Sequence, residues 1–366
     1  MVDALNPSVR WIETQDDWER ARAGWDELVL ACADPSIFLT WDFLDACWVH
    51  FARPSGQRLA VMELVDGARR VGLAPLRLVS ERRYGLSRRR LAHLAGWEYD
   101  RPGFCLPREG EDECLRAIAA ALDRRHASWD AVDLKEVPEG SPLLNQLRAW
   151  AASAGHEVEE QDAEPSPWVD LSSGWAAARG AMGASTRRTL DRYMRRLHDP
   201  GEVALEIFAE ADRMEEAIDR YLDLETRGWK HAAGQGIGKH ARQEAFYRDL
   251  LPRLARAGRV SVGFLRQGQR VLAGRIDLRL GDVVWWAQGA YADLPQLSPG
   301  NLLQMLMLER HAQQGVRRCE LQGRFLGNKQ RFTPLAHANR DLRILQRRGL
   351  KRRLLWATRR FRPMLG

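Results

Sequence analysis

The sequence predicts an α/β fold made of two similar units, and three observations predict it. Helical and strand-like segments alternate along all 366 residues, a length suited to two domains. A hairpin in the first half has an echo in the second. RLAVMELVDGARRV and RVSVGFLRQGQRVL match at Arg58, Val61, Leu64, Gly67 and Arg69 against Arg259, Val262, Leu265, Gly268 and Arg270, at one constant offset. Late in the chain an apolar strand, VVWWAQGA, passes through a short loop into a Leu/Met-rich helix and returns as a strand, VRRCELQ. That is the alternation of a strand–helix–strand unit.

Taken in order, apolar periodicity predicts one helix from roughly Asp16 to Ala33 and another from about Trp41 to Phe51. Two strands follow, RLAVMELV and RRVGLAPLRLV, with Asp66-Gly67 between them as the turn. A helix over Glu111 to His126 places Cys114, Leu115, Ile118, Ala119 and Leu122 on one face. Asp130 to Val137 reads as a strand, and Ser141 caps a helix that ends at Gly155. The acidic, proline-containing stretch Glu157 to Pro167 is the predicted linker, dividing a domain of residues 1–165 from one of 166–366. In the second half Ser185 caps a basic amphipathic helix. Leu190, Met194 and Leu197 form its apolar stripe, with Arg187, Arg188, Arg192, Arg195 and Arg196 around it. Asp212 and Glu215 stand at capping-box spacing before a helix to about Glu225. A further helix, Ala241 to Ala257, precedes the second hairpin, and a last strand, ANRDLRILQ, leads into a basic tail.

Composition narrows the function classes. Hydrophobic residues make up 45% and charged residues 29%, as in a soluble globular protein. The 14 tryptophans lie mostly in apolar stretches and are expected in the cores. A formal net charge of +7, from 56 basic and 49 acidic residues, permits an anionic ligand without specifying nucleic acid. Five scattered cysteines with no C-x-x-C spacing support neither a disulfide framework nor a zinc site. No secretory signal and no apolar run of membrane-spanning length is seen, so a cytoplasmic location is the expectation. The basic tail is a candidate for peripheral contact with anionic lipid, against a solvated basic end.

The loop before the Leu/Met-rich helix carries Ser298, Pro299 and Gly300. Serine suits an N-cap and proline the first helical position. Free amides at such a start, with the positive end of the helix dipole, make a natural phosphate site. S-P-G is also a common way to begin any helix.

Several segments in the second half now stand in a familiar order. They are the basic helix, L-E-x-x-G-W-K at Leu224 to Lys230, an F-Y-R helix, the hairpin, S-P-G with its helix, and G-x-x-x-G-N-K at Gly323 to Lys329. From about Ser185 to Phe332 the sequence resembles the GNAT-type acyltransferases of the CelD/BcsL group, associated with cellulose biosynthesis and related in fold to FemAB-like peptidyltransferases. The first half resembles them more weakly, through W-D-x-L at Trp25 and L-A-P-L at Leu73 to Leu76. The resemblance implies two tandem GNAT-like units, each a mixed central sheet flanked by helices. It implies an acyl-CoA such as acetyl-CoA as co-substrate, no metal, and transfer to an amine or to a sugar hydroxyl of a small-molecule or saccharide acceptor. The pyrophosphate loop departs from the usual [Q/R]-x-x-G-x-[G/A]: Gln296 precedes Gly300 with spacing one residue off, and Leu302 stands at the second small position. A different donor, or a half without donor binding, stays open. An aminoacyl-tRNA-dependent transferase and a non-catalytic partner-binding subunit are the alternatives, and nucleic acid enters only with the first of these.

Acyl transfer needs a base for the nucleophile, amide donors for the oxyanion and an acid for the leaving thiolate. Glu225 is the candidate base, against a solvated helix-end carboxylate, and Trp229 beside it is a candidate substrate contact. His231 is weighed there as an exposed loop histidine. The backbone near Gln288 and Gly289 is the candidate oxyanion site, and Ser298, Gly300 and Asn301 the candidate donor-phosphate site. Tyr291 is the candidate acid, against a packed tyrosine. Lys329, following Gly323 and Gly327, is a candidate substrate contact implied by the resemblance, and Glu320 one strand earlier is another.

Overall fold

Contacts divide the chain into one unit of Met1–Glu164 with Ala338–Gly366 and another of Pro165–His337. The computed structural model describes residues 5–83, 86–95, 101–198, 202–228 and 236–346. The first unit runs β1 (Ser8–Ile12), α1 (Gln15–Arg20), α2 (Trp25–Ala31), α3 (Trp41–Cys47), β2 (Arg58–Leu59), β3 (Val61–Asp66), β4 (Arg69–Ala74), β5 (Leu76–Arg83), β6 (Leu86–His93), α4 (Glu111–Arg124), β7 (Ala131–Pro138), α5 (Pro142–Ser153) and β8 (Glu157–Asp162). The second runs β9 (Ser166–Asp170), α6 (Trp175–Ala181), α7 (Ala184–His198), β10 (Val203–Phe208), α8 (Met214–Thr226), α9 (Ala241–Arg256), β11 (Val260–Gln267), β12 (Arg270–Leu280), β13 (Val283–Tyr291), α10 (Pro299–Gln313), β14 (Arg318–Glu320), α11 (Gly327–Gln330) and β15 (Ala336–His337). The chain then supplies β16 (Asn339–Leu345) to the first unit.

Both predicted hairpins form, and they are built alike. Asp66 pairs with Arg69 and Gln267 with Arg270. Gly67 and Gly268 hold positive φ in the turns, 61° and 55°, a conformation glycine adopts without steric cost. Each hairpin has a register shift at the matching place, Leu64/Val65 and Leu265/Arg266. The sequence echo therefore extends to the irregularities of the ladder.

Each unit also carries one parallel step bridged by a helix. β6 pairs with β7 from Arg90↔Ala131 to Ala92↔Asp133, and β13 pairs with β14 from Val283↔Arg318 to Trp285↔Glu320. In the first unit the sheets are ordered β1-β3-β4 and β2-β5-β6-β7-β16-β8. In the second the order is β10-β11-β12-β13-β14-β9-β15.

Three expectations change. The single helix of Asp16 to Ala33 is two, because Gly24 takes a left-handed conformation between them. The acidic linker is largely β8, an edge strand paired along β16. Its Glu159 and Asp162 meet Arg343 and Arg340 of that strand, so the acids match a basic neighbour. The predicted second domain includes the last strand and the tail, yet β16 lies between β7 and β8 of the first unit. Leu342 and Ile344, fully buried, join the core of that unit, and hydrophobic burial places the strand there. Residues beyond Gln346, with most of the basic tail, lie outside the described ones.

Among the described residues, Trp18, Trp25, Trp41, Trp48, Trp129, Trp285 and Trp286 are buried as core residues. Trp18 stacks on Trp41 at 4.2 Å, and Trp25 meets both edge-on at 5.3 Å. Their polar ends are satisfied, Trp18 Nε1 donating to Asp45 and Trp25 Nε1 to the Leu39 carbonyl. The Arg88–Arg90 run is partly neutralised, Arg89 by Asp130 and Arg90 by Glu81 and Asp133. Among the described residues no helix is long and apolar enough to cross a membrane.

Candidate active site

The second sheet opens where its parallel step ends. β13 keeps β14 beside it only as far as Trp285. Beyond Glu320 the chain follows β9 instead, with the Leu321 amide donating to the Pro167 carbonyl at 2.8 Å. The six residues from Trp286 to Tyr291 thus run on with no strand on that side among those described. On the other side they stay paired with β12, interrupted by a bulge: Asp277 faces Trp286, Ile276 faces Gln288, and Ala287 is the extra residue. A bulge re-aims the backbone locally. Gly289 lies just past it, and a Cβ built there would meet no atom within 4 Å. The first unit differs: β6 ends at His93, one residue past its last parallel pair.

Tyr291 ends β13 and is held between two glycines. A Cβ on Gly300 would come within 2.8 Å of its ring, and one on Gly228 within 3.0 Å of its carbonyl oxygen. The first contact joins the strand end to the start of α10, the second to the end of α8. Tyr291 is still 37% exposed. Glu225, in the last turn of α8, is 3% exposed. It is not a solvated helix-end residue. Its Oε2 accepts from the Gly238 amide at 3.3 Å, and it helps burial hold the neighbouring Tyr221 phenol well above its usual range. Trp229 and His231 lie outside the described residues.

The start of α10 lacks the serine side-chain cap the sequence suggests. Ser298 is the N-cap, but in a left-handed conformation (φ 46°, ψ 58°) without a side-chain cap bond. Its Oγ accepts instead from Asn301 Nδ2 at 2.8 Å, and its carbonyl takes the Asn301 amide at 3.0 Å and the Leu302 amide at 3.2 Å. The Asn301 amide is therefore committed within the helix. Gly300 serves to admit the Tyr291 ring.

Lys329, in α11, turns back on its own loop and donates to the Gln322 carbonyl. Gln322 and Gly323 both hold positive φ, 47° and 58°, so the ammonium braces a strained turn. Glu320 is buried at the last parallel pair, where it meets Arg318 at 2.9 Å and His337 Nε2 at 3.2 Å. The His337 ring stacks on Trp168 at 5.5 Å.

A buried charge cluster under the bulge was not legible beforehand. Arg275 Nε donates to Asp277 at 2.6 Å, His311 Nε2 lies 2.8 Å from the other oxygen of Asp277, and the Arg275 guanidinium sits 3.1 Å from the centre of the Trp286 ring. Burial opposes ionisation of Asp277, but Arg275 and His311 outweigh it and hold the carboxyl below its usual range. Burial raises the Cys319 thiol well above its ordinary value, with Asp277 adding to the effect. Two charges at alternate positions, R-I-D, within the otherwise apolar run Val271 to Leu278 were the available signal.

A mixed sheet flanked by helices, with a helix beginning just past the end of β13, agrees with the GNAT-like unit the sequence resemblance implies. Residues 184–331 match the family model of the acetyltransferase (GNAT) domain. Over 92% of this chain and 98% of the other, the fold is similar to that of FemX, with a TM-score of 0.63 at 10% identity. A conserved protein of unknown function from Bacteroides thetaiotaomicron gives 0.59 at 10% identity, covering 92% of this chain and 100% of that one. The C-terminal domain of a putative lysylphosphatidylglycerol synthetase from Agrobacterium fabrum gives 0.56 at 13% identity, over 93% and 96%. No curated protein matches the sequence. The structural likenesses are of fold, and with the domain match they make the protein an α/β pair of GNAT-like units, each with a mixed sheet flanked by helices.

Proposed function

We propose that the second unit transfers an acyl group from an acyl-CoA, such as acetyl-CoA, to an amine or a sugar hydroxyl, as in the CelD/BcsL group. The observation that carries this is the open edge of β13 past Trp285, with its bulge at Ala287 and empty space over Gly289. An extended pantetheine arm suits an open strand edge because it can take up main-chain hydrogen bonds. In this reading the backbone at Gln288 and Gly289 receives the thioester oxygen as charge develops on it. The acceptor nitrogen or oxygen attacks the carbonyl carbon, Glu225 takes its proton, the carbon–sulfur bond breaks, and Tyr291 protonates the leaving thiolate. Glu320 and Lys329 act through the Trp168–His337 stack and the 322–323 turn rather than by direct contact, and Trp229 stays a candidate acceptor contact. Titration calorimetry with acetyl-CoA tests the donor: micromolar binding is expected, and folded protein giving no heat at millimolar ligand would remove it.

A second reading keeps the fold and replaces the donor with aminoacyl-tRNA. The likeness to FemX and the basic α7 favour it. Its mark is tRNA binding that falls steeply with salt.

A further inference from the structure

A polar pocket of about 320 Å³ lies within the second unit, beside the start of α10. Ser185, Thr186 and Thr189 line it from the first turns of α7, Asn301 lines it from α10, and Arg192 and Arg331 bring two guanidinium groups. No carboxylate lines it. Neither arginine has an ion pair among the described residues, and Arg192 lies over the Tyr193 ring, 5.4 Å from its centre. Arg187 donates to the Gly180 and Met182 carbonyls, and Arg179 pairs with Asp191. Of the arginines on α7, Arg187 is thus bonded to the main chain of the preceding turn, and Arg192 lines the pocket.

The lining fits one chemistry. Three hydroxyls, a carboxamide and two guanidiniums offer donors and positive charge with no competing anion, which suits phosphate oxygens. Tyr193, Leu190 and Phe332 add an apolar wall for an organic group attached to the phosphate. The volume is at the lower end for small-molecule sites, about 300–1,000 Å³. The Asn301 main-chain amide, which a phosphate at this helix start would otherwise use, is bonded to the Ser298 carbonyl.

We propose that this pocket holds the phosphate-bearing end of the donor through side chains, chiefly Arg192 and Arg331, in place of main-chain amides at the start of α10. This rests on the acyl-CoA reading and specifies how that donor is gripped. It also explains the altered Gln296–Gly300 spacing: a loop relieved of phosphate binding is free to pack Tyr291 on Gly300.

The experiment measures binding of coenzyme A and of inorganic pyrophosphate to the full chain, for the wild type and for Arg192→Ala, Arg331→Ala and Arg188→Ala. Arg188 is exposed on α7 and does not line the pocket. Both probes are expected to bind and to compete. Arg192→Ala and Arg331→Ala should each weaken both by about ten- to a hundred-fold, the loss for a charge-assisted hydrogen bond, and Arg188→Ala should change neither. Coenzyme A bound equally well by the wild type and both pocket variants overturns this inference and leaves the acyl-CoA reading standing. Pyrophosphate binding that depends on Arg192 and Arg331, with no binding of coenzyme A, overturns the acyl-CoA donor and with it the donor role assigned to this pocket. Binding of neither probe overturns both.

Discussion

His311 Nε2 lies 2.8 Å from Asp277 Oδ2, with both side chains buried, and this contact ties α10 to the middle of β12. The opposite oxygen of Asp277 takes Arg275. The cluster lies beside the bulge that re-aims β13 at Gln288 and Gly289. Removing the carboxylate would leave a buried guanidinium without its counter-charge. Asp277→Ala is expected to cost about 3–5 kcal/mol of stability, read by urea unfolding. An unchanged midpoint would mean the cluster is relaxed by water.

Tyr291 and Gly300 should behave as one packed pair. A methyl group at Gly300 meets the Tyr291 ring at 2.8 Å, so Gly300→Ala is expected to destabilise by about 1–3 kcal/mol through overpacking. In a Tyr291→Ala background the same change should cost much less. Additive effects in that double-mutant cycle would show that the ring does not rest on the glycine.

Glu225 distinguishes catalysis from packing. Glu225→Gln keeps the shape and an acceptor for the Gly238 amide but cannot take a proton. Turnover is expected to fall by about 10²–10⁴, with acetyl-CoA affinity and thermal midpoint nearly unchanged. Retained turnover would assign the base elsewhere.

His93 makes the first unit sensitive to acid. Burial, with Arg77 adding to it, lowers its pKa from 6.5 to about 3. Its ring nitrogens have no hydrogen-bond partner among the described residues. The unfolded chain takes up a proton below pH 6.5 that the folded chain refuses until about pH 3. Stability from this residue is therefore complete above pH 6.5 and is lost as the pH falls toward 3, at up to about 1.4 kcal/mol per pH unit. His93→Gln should flatten the dependence of unfolding free energy on pH between 4 and 6.5. An unaltered slope would assign it to other groups.

Most of the helices, the duplicated hairpin and many of the core tryptophans were legible in the sequence because they follow from local periodicity and turn chemistry, whereas the short or edge strands β1, β6, β8, β9 and β10 were not. Asp66-Gly67 and Gln267-Gly268 announce their turns, and the buried faces of α4 and α7 repeat at helical spacing. Candidate residues Gln288, Gly289, Tyr291 and Glu225 could be named because they sit at ends of such elements. The accessibility of Glu225 could not be read, since it depends on Gly236–Gly238 folding back over the helix end.

By itself, then, the sequence determined the two hairpins, most of the long helices with their apolar faces, and that the unit occurs twice. Only the tertiary structure decided that β16 belongs to the first unit, that β14 leaves β13 after Trp285, that the Asn301 amide is already bonded and that Arg275, Asp277 and His311 meet. The reason is physical. Helices and turns are set by neighbours a few residues away, whereas strand partners and buried charge pairs are chosen by competition among groups far apart in the chain. Nothing near residue 340 states that the best partner for a basic, alternately apolar strand is an acidic one some 180 residues earlier.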